Sequence, residues 1–115
     1  EEGEIMETIK SLNPDGVLGP NGFWGYFFLV FLVLIKSDVV SANQDYIKCA
    51  ALPRVVSSTV LVLIPEVNNP TDFVQFLPIS LCNYSYKILA TILIKRLPCH
   101  LGYFISVEQH DFLKE

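Results

Sequence analysis

The chain has 115 residues, of which 51% are hydrophobic and 17% are charged, and its formal net charge is −4. This length gives one small domain or part of one, and the composition is too apolar for an intrinsically disordered chain. The negative charge argues against a free-standing nucleic-acid binder, because contacts with phosphates supply most non-specific affinity.

The charge is unevenly distributed along the chain. Residues 1–45 contain seven acidic and two basic residues, residues 46–100 two acidic and five basic, and residues 101–115 three acidic and one basic. Only the middle segment is basic. We therefore expect any contact with an RNA or DNA template to be weak and to use residues 46–100.

Cysteine usage and the amino terminus bear on the cellular compartment. Cys49, Cys82 and Cys99 form no CxxC pair and are odd in number, which favours buried thiols in a reducing compartment over a disulfide scaffold. No basic stretch precedes an apolar run at the start, so we expect no secretory signal peptide. The sequence indicates a nuclear or cytoplasmic protein rather than a secreted one.

The first half of the chain predicts helices around a loop. Apolar residues recur at helical spacing over residues 2–12, and a loop rich in glycine and proline follows over residues 13–23. Phe23 to about Ile47 is predicted to be one long helix, which is apolar from Phe23 to Ile35 except at Gly25. Thirteen helical residues span about 20 Å, short of the ~30 Å membrane core, so a buried helix is favoured over a membrane span.

The second half predicts a small sheet followed by a helix. The β-branched run 59–64 predicts a strand buried on both sides, residues 67–72 a turn, and residues 76–81 a second strand or extended segment. Asn83 is the predicted N-cap of a helix that runs to about Leu97 and ends at Pro98. We expect an α+β fold in which helices pack on a small antiparallel sheet.

Three motifs in the second half occur in a characteristic order. They are Leu63-Ile64-Pro65-Glu66, Phe76-Leu77-Pro78-Ile79-Ser80-Leu81, and Tyr86-Lys87-Ile88-Leu89 with Arg96-Leu97. The chain resembles the fingers region of a non-LTR, LINE-type retrotransposon reverse transcriptase of the kind found in plant genomes. The loop at residues 13–23 and the segment 105–112 are similar to further motifs of that family. The resemblance implies that residues 1–115 form a single, partial fingers domain of an RNA-directed DNA polymerase.

The resemblance also implies functional positions and their loss. In the family, two cations that hold the incoming triphosphate occupy the positions of Glu66 and Leu77, and a glycine occupies that of Asp111. Candidate contacts with nucleic acid or nucleotide, carried over from the family, are Pro78, Ser80, Lys87, Lys95, Arg96 and Gln109. The alternative for the three helix cations among them is an ordinary solvated helix face.

Catalysis and metal binding are not expected within this sequence. Phosphoryl transfer onto a primer requires carboxylates for two metal ions, and the family's Mg²⁺ ligands belong to the palm, which we expect to be absent here. The acids in predicted loops fit turn and surface roles; they are Asp15, Glu66, Asp72 and Asp111. A zinc site from Cys82, Cys99, His100 and His110 has no common spacing, and Ser106, His110 and Asp111 lack a nucleophile elbow.

The functional hypothesis is therefore a reverse-transcriptase fragment that is catalytically inactive by itself, with no small-molecule substrate. Two alternatives stay open. One is a small membrane-associated or protein-interaction module that uses the apolar segment 23–35, although a membrane role is disfavoured by Lys36 and Asp38 beyond it. The other is a weak RNA- or DNA-binding module.

Overall fold

The computed structural model describes residues 2–101 and residue 104. In this part of the chain the helices are α1 (Glu2–Ser11), α2 (Gly25–Val30), α3 (Leu32–Cys49), α4 (Arg54–Ser57), α5 (Tyr84–Arg96) and α6 (Pro98–Leu101). Strands β1 (Thr59–Pro65) and β2 (Phe76–Cys82) pair as a two-stranded antiparallel sheet, with a 3₁₀ turn (Phe73–Gln75) before β2. The predicted α+β class is confirmed.

The buried core is built by helices. The apolar spacing of α1 places Ile5 and Ile9 against Ile88 and Ile92 of α5, and Ile9, Ile88 and Ile92 are fully buried. The remaining members of the cluster are Phe28 of α2, Leu32 of α3 and Tyr84 of α5. Each fully buried aliphatic side chain stabilises the fold by about 1.5–3 kcal/mol, so this cluster supplies most of the driving force for packing the helices.

Polar contacts align α1 with α5. Arg96 donates from Nε to Oε1 of Glu4 at 3.0 Å and from Nη2 to the other carboxylate oxygen. Lys95 Nζ donates to Thr8 Oγ1 at 3.3 Å, and the Tyr84 hydroxyl donates to the Ile9 carbonyl at 3.4 Å. The two helices are therefore held together at several points along their length.

The segment from Phe23 to Ile47 is two helices, so the prediction of one long helix is wrong. Phe31, with φ −94° and ψ 10°, ends α2 and precedes α3. Phe28 before the break and Leu32 after it are both buried, so each of the two helices contributes a side chain to the core. The Phe27 ring contacts that of Phe31 at a centroid distance of 5.2 Å and stabilises the corner.

The apolar segment 23–35 is not a buried helix, contrary to expectation. Phe28 and Leu32 reach the core, whereas Val30, Val33 and Leu34 are 70%, 90% and 75% exposed. Nearly every position of this stretch is apolar, so the outward face is apolar as well. No helix within the described part of the chain is long and apolar enough to cross a membrane.

The sheet is exposed, and the prediction of a strand buried on both sides is wrong. Every residue of β1 is exposed, and the middle of β2 is exposed too. The strands have the expected apolar composition and pair from Thr59 opposite Cys82 to Pro65 opposite Phe76. The helices pack on one another rather than on this sheet. The apolar composition of the strands therefore did not reveal whether other elements cover them.

Smaller corrections concern turns and thiols. Residues 50–58, which the prolines and small residues of the sequence predict to be a loop, contain α4. Pro98 begins α6 rather than only ending α5, since proline suits the first position of a helix. The thiols are free, with Cys49 and Cys99 exposed and Cys82 half-buried, so the expectation of buried thiols fails for two of them. The predictions for Ser106, Gln109, His110 and Asp111 fall outside the described residues.

Candidate functional site

The hairpin register brings the two altered motif positions to one face. Ile64 lies opposite Leu77, and the Glu66 N–H extends the pairing by donating to the Gln75 carbonyl at 2.9 Å. Residues opposite each other share a face, and residues two apart along a strand share it as well. Glu66 and Leu77 are therefore diagonal neighbours at the tip of the hairpin.

This face, which we call the aliphatic face, has no side-chain donor on the strands themselves. Its members are Val60, Val62, Ile64, Leu77, Ile79 and Leu81. Glu66 adds a carboxylate at the tip. Phosphate oxygens need cations or hydrogen-bond donors, so the tip repels a triphosphate and the face suits only apolar contacts.

The turn that closes the hairpin is well defined. Asp72 and Gln75 form a capping box, in which each side chain bonds the backbone of the other. The Gln75 side-chain oxygen also accepts a hydrogen bond from the Thr71 N–H at 2.8 Å, and Asn69 adopts φ 57°, a conformation that asparagine tolerates. These contacts fix the distance between the two strand ends and agree with the predicted role of Asp72 as a turn residue.

Pro78 and Ser80 lie on the opposite face of the sheet from Leu77. Pro78 is opposite Leu63, at a position whose backbone nitrogen points away from β1, where a proline costs no ladder hydrogen bond. The structure therefore separates these two candidates from Glu66 and Leu77.

The three candidate cations of α5 contact their own chain. Lys87 Nζ donates to the Val17 carbonyl at 3.2 Å, while Lys95 and Arg96 bind Thr8 and Glu4 of α1 as described above. The Arg96 hydrogen bond lowers the pKa of Glu4, whose carboxylate it stabilises. These cations join α5 to the first 17 residues rather than forming a purely solvated face.

Asn83 is the residue whose importance the sequence did not reveal. It is fully buried, and its side-chain amide donates to the carbonyls of Val55 at 2.8 Å and Val56 at 3.2 Å. Its side-chain oxygen accepts from the Asn21 N–H at 3.0 Å and makes no capping bond to α5. Position 83 precedes the helix as predicted, but the side chain links α4, the loop 13–23 and the sheet's end instead of capping.

Gly19 shows how closely the loop 13–23 approaches Asn83. A Cβ at Gly19 would lie 2.5 Å from the backbone nitrogen of Asn83, so no other residue fits without a shift. The loop and the segment after β2 are thus packed backbone to backbone. A pattern of glycines in the sequence could have signalled this contact, but not its partner.

Within residues 2–101, no group of three or more histidine, cysteine or acidic residues could hold a metal ion. The acids Asp15, Glu66 and Asp72 lie in turns, as expected. No family model matches the chain. The motif resemblance and the hairpin geometry are therefore what bear on function.

Proposed function

We propose that the chain is a fingers segment of a non-LTR retrotransposon reverse transcriptase and catalyses no nucleotide transfer by itself. The observation that carries the proposal is the hairpin register. Two positions that are eleven residues apart in the sequence, and that the resemblance assigns to one triphosphate site, are diagonal neighbours on one face. This arrangement supports a single site that involves both positions. The weak template contact through residues 46–100 belongs to the same proposal.

The proposal assigns the loss of nucleotide binding to the hairpin tip. Glu66 presents a negative charge where a cation would hold the triphosphate, and Leu77 offers no donor. Both side chains are exposed at the tip, so the deficiency does not require any change in fold. Restoring the cations should then restore the interaction.

A chimera tests the proposal. Residues 59–82 would replace the corresponding hairpin of an active non-LTR reverse transcriptase, and primer extension would be measured over a range of nucleotide concentrations. Charge-assisted contacts with phosphate are worth about 1.5–3 kcal/mol each, so the chimera should lose about 10²- to 10⁴-fold in nucleotide use. Glu66→Lys with Leu77→Arg should recover part of this loss, mainly as tighter apparent nucleotide binding.

A matched control separates this effect from a general change in charge. Glu66→Lys with Leu61→Arg introduces the same two cations but places the second on the opposite face of the sheet, at a position with no assigned contact. It should recover less than the pair at positions 66 and 77. Full activity of the unreverted chimera, or equal recovery by both pairs, would contradict the assigned positions.

A protein-interaction module is a second candidate, favoured by the exposure of the segment 23–35. Val30, Val33 and Leu34 form an apolar surface at the α2–α3 corner, where a solvated helix normally presents polar groups. An exposed surface of this kind usually marks a contact with another macromolecule. The consequence for association in solution is tested below.

A further inference from the structure

A cavity of about 360 Å³ lies between the loop 13–23 and the start of α2. It is lined by Pro14, Asp15, Gly16, Val17, Leu18, Trp24 and Tyr26. The volume is at the small end of the range for ligand sites, which is about 300–1,000 Å³. A compact organic molecule is therefore the right size of occupant.

The walls of this cavity are held in place by close packing. Gly25 separates the two aromatic residues, and a Cβ there would lie 2.6 Å from Pro14 Cα and 2.7 Å from the Tyr84 ring. The backbone of α2 thus lies directly on the loop. On the loop side, the Asp15 N–H bonds the Asn13 side chain at 2.9 Å. The backbone that carries Trp24 and Tyr26 is consequently fixed beside the loop, and both side chains are about half exposed.

The lining has the chemistry of a cation site. Trp24 and Tyr26 offer electron-rich ring faces, Asp15 offers a carboxylate, and proline, valine and leucine supply apolar contact. Asp15 accepts a hydrogen bond from the Tyr26 hydroxyl, which together with the carboxylate's charge raises the pKa of Tyr26 and keeps the phenol neutral. An anionic ligand would meet this carboxylate unfavourably.

We propose that this cavity binds a small organic cation of the quaternary-ammonium type. Methyl groups around a positive nitrogen match a lining that is apolar and aromatic, while the diffuse charge is favoured by the rings and by Asp15. The surplus of acidic residues over residues 1–45 attracts cations to the same half of the chain. This inference is independent of the reverse-transcriptase proposal.

Lys87 is the charged group on α5 that faces the loop, and it opposes a cation. Its ammonium is bonded to the Val17 carbonyl at 3.2 Å and lies 3.6 Å from where a Gly16 Cβ would be. It does not line the cavity. Its charge weakens cation binding. Screening of the Lys87 charge by salt should therefore raise the affinity for a cation, but by less than removal of the Asp15 carboxylate lowers it.

Trp24 is the only tryptophan in the chain, so its fluorescence reports on the cavity directly. The full chain would be titrated with choline and, separately, with 3,3-dimethylbutanol, a neutral molecule of the same shape. Choline should change the emission and bind about tenfold more tightly than the neutral analogue. Saturation-transfer NMR on the N-methyl protons gives a second measurement at low protein concentration.

Variants locate the site. Asp15→Asn should weaken choline binding about threefold or more, whereas Asp38→Asn, an exposed aspartate on α3 outside the cavity, should leave it unchanged. Far-UV circular dichroism would establish that each variant is folded. Equal binding of choline and its neutral analogue, no effect of Asp15→Asn, or tighter binding of a mononucleotide than of choline would each overturn the proposal. Trimethyllysine is a further titrant. Tighter binding of trimethyllysine than of choline would indicate a modified side chain as the source of the cation, and tighter binding of choline would indicate a free ligand.

Discussion

At the scale of single residues, Asn83 connects two segments that are distant from it in the sequence. Its one side chain bonds backbone groups 28 and 62 residues away in the sequence. Asn83 itself is fully buried, and its hydrogen bonds to these groups are part-buried. Removing the amide breaks these bonds and leaves a space where the side chain was.

Asn83→Ala should lower the free energy of unfolding by about 1–3 kcal/mol, because a fully buried side chain loses at least two part-buried hydrogen bonds. Urea denaturation followed by circular dichroism gives this value. Asn68→Ala in the exposed hairpin turn is the control and should change stability by less than about 0.5 kcal/mol. Equal effects at the two positions would show that the Asn83 contacts carry little energy.

The Glu4–Arg96 pair predicts a pH dependence. The pKa of Glu4 is lowered from its ordinary value of 4.5, chiefly by the hydrogen bond from Arg96. A carboxyl with a lowered folded pKa contributes stability above about pH 4.5, and this contribution is lost as the pH falls through the folded value. Glu4→Gln should therefore destabilise the chain at pH 7 by up to about 1 kcal/mol, a figure that allows for the pair's partial exposure.

Urea denaturation of wild type and Glu4→Gln at pH 7 and at pH 3.5 measures this dependence. The difference between them should shrink at the lower pH. Glu7→Gln, at an exposed position of the same helix, corrects for the general loss of negative charge. A difference that stays constant between the two pH values would mean that the Glu4 carboxylate does not act through its charge.

At the scale of secondary structure, the sequence predicted the helices and strands that depend on a local pattern of residues. Helix α1, both strands and the body of α5 follow from apolar spacing and β-branched composition, and their carboxyl-terminal ends differ from the prediction by one residue. The break at Phe31 could not be predicted, because apolar residues continue through it and no glycine or proline marks it. The exposure of β1 could not be predicted either. The composition of a strand shows that its side chains are suited to burial, but not whether another element packs on them.

The candidate site likewise has features that a local sequence pattern predicts and features that it does not. Pairing of the two apolar runs could be expected from the turn residues between them, and it places Glu66 beside Leu77. The partners of Asn83, Lys87 and Arg96 lie tens of residues away in the sequence. No local pattern encodes such contacts, so their roles required the structure.

Helix α2 provides a test of close packing. Gly25→Ala places a methyl group where Pro14 Cα and the Tyr84 ring already lie, so the backbone must move, at a cost of about 1–3 kcal/mol. Gly3→Ala in α1 is the matched control, because nothing lies within 4 Å of its Cβ position, and it should stabilise by up to about 1 kcal/mol. Thermal or urea denaturation of both variants should therefore give effects of opposite sign, and two effects of the same sign would contradict the packing argument.

At the scale of the whole molecule, the chain is expanded. Its radius of gyration is 17.4 Å, whereas a compact domain of this length has about 13 Å. The hairpin projects from the helices, and large apolar side chains are exposed on it and at the α2–α3 corner. Such surfaces favour association of the isolated chain at high concentration.

Polar substitution at the corner should reduce this association. Val33→Lys with Leu34→Lys removes two of the most exposed apolar side chains from α3 and should raise the soluble monomer concentration several-fold, measured by analytical ultracentrifugation. Ser37→Lys with Ser41→Lys adds the same charge to exposed positions of the same helix without removing apolar surface. Similar gains from both pairs would attribute the improvement to charge, and a monodisperse wild-type monomer would show that the corner does not drive association.

The placement of Pro78 also determines what form any aggregate takes. Pro65 and Pro78 both occupy positions whose backbone nitrogen points outward, so each strand lacks one donor along its free edge. Pro78 lies inside β2 and prevents a third strand from adding to that edge with a continuous ladder, which is the step by which fibrils grow, whereas Pro65 is the last residue of β1 and interrupts only the end of the other edge. Pro78→Thr should therefore open the β2 edge and make deposits of this chain bind more thioflavin T, and an unchanged thioflavin T signal would show that this edge does not take part in strand addition.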